Sequence, residues 1–208
     1  MFHLRYGPAN KLGWGSRLRR DFAYYTPDDY YEALVAGTVA PGMNWLDAGC
    51  GRELFPSNRG LARSLSQRCN RLVGVDPDPT LQENAWVHEK NAGILDDYDG
   101  KGQFDLVTLR MVAEHVADPE RCVQSIHRAL RPGGIAVIYT VFAGSPMPLL
   151  TRLAPMSLRR RSSIGSMPSA TAALSSWISI AKRGCTEPCP RLGPHAGLLV
   201  YARRLAKR

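Results

Sequence analysis

Between residues 44 and 141, short apolar runs alternate with longer amphipathic stretches, and each run closes on a polar or small residue. The runs predict strands at 44–48, 71–75, 104–109 and 135–141, with a short third strand at Trp86-Val87-His88 ending near Gly93-Ile94-Leu95. Between the first two runs Leu61, Leu65 and Cys69 recur four apart, which predicts a helix over 58–69. Asp118-Pro119-Glu120 opens a second helix to residue 130, with Val123, Ile126, His127 and Leu130 on one face and His127 as a core residue. Pro77 and Pro79 stop the 71–75 strand before a short helix or turn at Thr80-Leu-Gln-Glu. Arg131-Pro132-Gly133-Gly134 predicts a tight turn into the last of these strands.

Upstream, residues 17–22 and 28–36 have helical character. Thr26-Pro27-Asp28-Asp29 is a helix start, with Thr as N-cap, Pro at the first position and acids in the first turn. Phe22, Tyr24, Tyr25, Tyr30 and Tyr31 cluster here; they either pack this cap on the sheet edge or form a lid over a ligand. Pro41-Gly42 breaks the chain before the first strand.

Strand–helix alternation of this kind implies an α/β fold: a Rossmann-like, mostly parallel sheet with helices on both faces. Three segments follow: a helical cap at 1–43, an α/β domain at 44–158, and a tail at 159–208. The tail is rich in Ser, Ala, Pro and Arg and lacks period. Within it 174–182 predicts a short helix and 196–203 a last strand, so the C-terminal strands are expected to be incomplete, and 162–194 is not expected to be a compact part of the domain.

Charge sharpens this division. Residues 1–150 hold 16 Lys and Arg against 17 Asp and Glu, whereas 151–208 hold 11 basic residues and one acid, Glu187. The net charge of +9 therefore belongs to the tail, which suits contact with nucleic acid or an anionic membrane less well than it suits a solvated segment. No apolar run reaches 18 residues and the first residues show no secretory h-region. Five cysteines without framework spacing fit a cytoplasmic protein with free thiols. Cys185-x-x-x-Cys189 with His195 falls short of the four ligands of a tetrahedral zinc, so no metal is expected.

The candidate chemistry gathers where strands end. Asn44-Trp-Leu-Asp47 runs straight into Ala48-Gly49-Cys50-Gly51, a small-residue turn that lets backbone approach a ligand. Asp76 ends the second strand, one βα unit later, where a carboxylate either accepts both hydroxyls of a ribose or remains a surface acid. Asp47, Asp76, Ile94-Leu95 and Arg110 all fall at carboxyl ends of strands, the edge at which such sheets bind ligands. Asp47 is a ligand-side acid or a brace for loop N–H groups. A dinucleotide fits less well: the third glycine of G-x-G-x-x-G would be Leu54, and Glu53 would face a pyrophosphate.

WLDAGCG, LVGVDPD, AGILDDY and FDLVTLRMVAEHVADPE followed by LRPGG, in this order, resemble the class I S-adenosylmethionine-dependent methyltransferases, in particular their type 11 members. The resemblance covers about half the chain and implies S-adenosyl-L-methionine as cofactor and in-line methyl transfer to a small-molecule acceptor at O, C or N. It places Gly49 and Gly51 against the methionine part and Asp76 on the ribose, with Pro77 or Asp78 near the adenine edge. Ile94 and Leu95 would flank the base with Asp96 near its amino group, and Arg110 and Met111 would line the methionine end. Glu114 and His115 would face the acceptor. An imidazole titrates near neutrality, so His115 is the candidate general base, its alternative being a helix-start residue bonded to backbone. Glu53 stands where the family's first loop has a small residue, and the tail departs from the family's last helix and strand pair. Two other classes stay open: a cofactor-binding methyltransferase-fold protein without turnover, and a nicotinamide-dependent reductase.

Overall fold

The computed structural model describes residues 25–140 and the strand at 198–203. Helix α1 (Pro27–Thr38) leads into strand β1 (Asn44–Ala48), helix α2 (Arg59–Arg68) and β2 (Arg71–Asp76). Then come β3 (Glu89–Ala92), β4 (Phe104–Arg110), α3 (Pro119–Ala129), β5 (Leu130–Thr140) and β6 (Leu198–Arg203). The six strands form one sheet in the order β3-β2-β1-β4-β5-β6. β1 to β5 are parallel, and β6 joins β5 antiparallel with Ile135 opposite Arg203 and Thr140 opposite Leu198. This is the α/β architecture that the alternation of runs predicts. Strand order reverses at β1, which lies between β2 and β4, so the crevice at its carboxyl end is the topological switch point.

The start of α1 is as the sequence predicts. The Thr26 side chain accepts from the Asp29 N–H at 3.3 Å while the Asp29 carboxylate accepts from the Thr26 N–H at 2.7 Å, a reciprocal capping box. Asn58 caps α2 by accepting from Leu61 N–H, and its amide donates to Glu32 of α1 at 2.7 Å, tying the two helices together. Leu61, Leu65 and Cys69 are buried, as their spacing requires. The two faces of the sheet carry separate apolar clusters: Trp45, Leu106 and Val137 with Tyr31, Val35, Leu61 and Leu65 on one side, and Leu46, Val107 and Ile138 with Cys122, Ile126 and Ala129 on the other.

Three expectations are corrected. The third strand is Glu89–Ala92 and not 86–88. Trp86 and Val87 are instead turned toward the core by Asn84, whose side chain accepts from Trp86 N–H at 3.0 Å, and the true strand is an exposed polar edge without an apolar pattern. His127 is exposed, because the buried stripe of α3 is Cys122, Ser125, Ile126 and Ala129, and one further residue rotates to solvent. The turn at 131–134 survives as an irregularity inside β5, whose pairing jumps from Phe104–Leu130 to Leu106–Ile135. The expectations for 17–22, 162–194, 174–182 and the Cys185–Cys189 pair lie outside the described residues. Among the described residues no helix is long and apolar enough to cross a membrane.

Candidate active site

Register and alternation build the site. On the α1 face of the sheet, Trp45 stands beside Leu106 and Ile135; one layer further on, Asp47 is beside Thr108 and Val137; beyond these, Arg110 is beside Tyr139. The face therefore changes from apolar to polar toward the carboxyl ends of the strands.

The loop after β1 is a close-approach turn. Gly49 has φ of +72°, and a Cβ there would lie 2.1 Å from a Val112 methyl, so only glycine fits. Gly51 is held at both ends: its N–H donates to Asp76 Oδ2 at 2.7 Å and its carbonyl accepts from Asn84 Nδ2 at 3.0 Å. Asp76 is buried, and its other oxygen accepts from Asp78 N–H at 2.8 Å. It is not a free surface acid. Each of its oxygens makes one backbone bond and keeps a lone pair for a further donor. Glu53 points away from the turn: Trp86 Nε1 donates to it at 2.9 Å and Arg59 pairs with it at 2.7 Å. Leu54 and Phe55 behind it are buried, so the loop that lacks its third small residue is anchored by an apolar pair and an external brace.

Asp47 is 4% exposed. Thr108 Oγ1 donates to it at 2.5 Å and itself accepts from the Trp45 indole N–H at 2.7 Å. The hydroxyl is thereby oriented with its proton on the carboxylate. Burial pushes the Asp47 carboxyl up to about 7; the Thr108 bond and Arg110 pull it down, and Asp76 adds a further upward push. Asp47 thus binds a side-chain hydroxyl, not the loop N–H groups. Tyr31 of α1 packs above it, its ring stacked on Tyr139 at 5.2 Å, and burial and then Asp47 hold its phenol well above the usual range. Burial likewise raises the Cys50 thiol, which leaves it protonated.

Arg110 Nη2 meets Asp28 Oδ1 of α1 at 3.2 Å. Met111 follows in a left-handed conformation, φ +55°, fixed by its N–H bond to the Tyr139 carbonyl at 2.7 Å, and is 38% exposed. Glu114 accepts from the Thr140 hydroxyl at 2.5 Å, and His115 lies exposed on the same short turn of 3-10 helix, Ala113–His115. Ile94 is 48% exposed beyond β3, whereas Leu95 is buried in the second core cluster. Pro77 is exposed next to Asp76. Asp96 is 3.7 Å from Arg121 Nε. Asp47, Gly49, Gly51, Asp76, Pro77 and Arg110 thus lie at the ends of the neighbouring strands β1, β2 and β4. Sequence reasoning missed Thr108, Asn84 and Tyr139 here, and named Tyr31 only as one of the aromatics of the cap. Thr108 was detectable as the one hydroxyl inside an apolar run, two residues before Arg110 and so on its face. Among the described residues no group of three His, Cys, Asp or Glu could hold a metal.

The family description "Methyltransferase domain" matches residues 19–177. The chain belongs to this methyltransferase family. Its fold is that of the class I members, whose methyl donor is S-adenosylmethionine. The chain is 30% identical over 110 residues to a ubiquinone biosynthesis O-methyltransferase of Pseudomonas paraeruginosa, which covers 48% of this chain and 45% of that protein. A protein of the same name from Methylobacterium is 33% identical over 109 residues, 48% of this chain and 41% of the other. The chain thus matches less than half the length of these curated relatives. Among solved structures, the N-methyltransferase NodS from Bradyrhizobium japonicum superposes with a TM-score of 0.55 at 17% identity, covering 86% of this chain and 97% of NodS. A TehB-like methyltransferase from Corynebacterium glutamicum gives 0.56 at 20% identity, over 93% and 96%. These two support the fold.

Proposed function

We propose that this chain transfers the methyl group of S-adenosylmethionine to a small-molecule acceptor, an oxygen nucleophile being favoured. The observation that carries the reading is the convergence of a two-glycine turn, buried Asp76 and the polar layers of Asp47 and Arg110 at one switch point, in a chain of this family. The residues fit such a cofactor. Asp76 has lone pairs left for ribose hydroxyls. Asp47 and Arg110, in successive layers of one face, would complement the ammonium and carboxylate of an amino-acid end. Ile94 supplies apolar surface for a base, with Pro77 at its edge and Leu95 anchoring the segment. Glu53 and Leu54 are committed to Trp86, Arg59 and the core, which leaves no third-glycine cradle for a pyrophosphate and disfavours a nicotinamide cofactor.

When bound, the cofactor supplies an electrophilic methyl on a cationic sulfur. The chain's own task is orientation: Glu114 and His115 follow β4 beside this site and would position the acceptor. His115, exposed on its turn, would take the acceptor's proton. Oxygen is favoured because the matched relatives are named O-methyltransferases.

The test is thermal. S-adenosylhomocysteine at ~100 times its dissociation constant should stabilise the chain by ~2.7 kcal/mol. No rise in melting temperature up to millimolar ligand would end this reading.

A further inference from the structure

Arg110 is presented to the cofactor layer, yet it is engaged by a carboxylate of the chain itself. Its Nη2 bonds Asp28 Oδ1 at 3.2 Å through a single N–H, and the two side chains are 24% and 35% exposed. The contrast with Arg71 is informative: that guanidinium grips Glu89 through two bonds of 2.7 and 2.6 Å. A long, one-armed, partly solvated pair is worth little to stability. Asp28 comes from a different element, the first turn of α1, where a negative charge is already favoured by the helix dipole. Its carboxylate therefore loses little if Arg110 is taken from it. On its other sides Arg110 meets the field of Asp47 on β1 and its strand partner Tyr139 on β5.

We propose that Asp28 is a stand-in for the carboxylate of the cofactor's amino-acid end: it holds Arg110 until that carboxylate replaces it, and the exchange uncouples the first turn of α1 from β4. This rests on the cofactor reading above. Its consequence is contrary to the usual rule that removing a site residue weakens binding. Asp28→Asn deletes a competitor and should tighten binding.

Calorimetric titration with two probes tests this. S-adenosylhomocysteine carries the carboxylate; its decarboxylated analogue keeps the adenosine, thioether and amine but lacks it. Asp28→Asn should bind S-adenosylhomocysteine roughly twofold to fivefold more tightly than wild type, the strength of an exposed pair. It should bind the decarboxylated probe unchanged. Arg110→Met should weaken S-adenosylhomocysteine and leave the analogue nearly unaffected. Amide exchange over residues 28–31 should quicken when S-adenosylhomocysteine binds and not when the analogue does. Asp28→Ser, which keeps a polar first turn, repeats the test if the asparagine variant folds poorly. Unchanged or weakened binding of S-adenosylhomocysteine by the Asp28 variants, or an equal effect on both probes, overturns the proposal while leaving the cofactor reading intact. Failure of wild type to bind either probe overturns both.

Discussion

At the scale of single residues, the site depends on two positions with little freedom. Gly49 combines a positive φ with a Val112 methyl 2.1 Å from where a Cβ would stand. Gly49→Ala should destabilise the fold by about 2–4 kcal/mol through strain and overpacking. Adding Val112→Ala should restore part of that, because the steric component disappears and the backbone component does not; equal chemical-denaturation midpoints for the single and double variants would contradict this. Asp47 gives a pH signature. Its carboxyl lies near 7 in the fold against 3.8 when exposed, chiefly because it is buried. Between those values the folded chain holds the proton that the unfolded chain has lost. The Asp47 contribution to stability is therefore greatest below about pH 4, falls as pH rises toward 7, and is flat above it. The whole fall is on the order of a few kcal/mol. Asp47→Asn should flatten that part of the profile, and denaturation at pH 5 and pH 8 measures it. Parallel profiles for wild type and variant would show that the Asp47 proton is not the one involved.

At the scale of elements, the apolar runs revealed the sheet because parallel strands are buried on both faces and carry near-continuous Val, Ile and Leu. β3 escaped because it is an edge strand of polar residues, Glu89-Lys-Asn-Ala92, whose place is set by pairing with β2 and not by burial. Of the site, the glycine turn and Asp76 were legible, since a turn and a strand-end acid are local patterns. Thr108 and Tyr139 were not, and Tyr31 was legible only as one of the aromatics of the cap, because their roles come from register between β1, β4 and β5 and from where α1 docks. Asp28 was legible only as a helix-start acid; its pairing with Arg110 joins α1 to the end of β4 and depends on where the helix docks. The opposite end of β4 shows the same dependence on register. Asp105 is buried, accepts from Asn44 N–H at 2.8 Å and pairs with Arg131 at the irregular start of β5, joining three strands. Asp105→Ala should cost about 1–2 kcal/mol, because the backbone N–H and the guanidinium lose their common acceptor. A melting temperature equal to wild type would mean that water replaces it fully.

At the scale of the whole molecule, the sheet is asymmetric. One margin is β3, short and polar, with Glu89 and Lys90 on it; charge and shortness are the ordinary protection of an exposed edge. The other margin would be β5, eleven residues long and mostly buried from Ile135 to Thr140, were it not for β6. The antiparallel ladder from Ile135–Arg203 to Thr140–Leu198 occupies that edge along its full apolar length. β5 also carries Tyr139, the stacking partner of Tyr31, so the same strand serves the margin and the site. A chain ending at residue 197 would leave the N–H and C=O groups of β5 without strand partners beside an apolar face, which is a template for pairing with another chain. Such a chain should self-associate as its concentration rises and melt below the full chain, and light scattering after size-exclusion chromatography reads both the mass and its concentration dependence. The expected loss includes affinity for S-adenosylhomocysteine, since Tyr139 and Arg110 are register neighbours and a loosened β5 loosens the layer that holds the guanidinium. A shortened chain that stays monomeric, melts with the full one and binds as tightly would show that β5 needs no cover and that β6 is an addition to a sheet already complete.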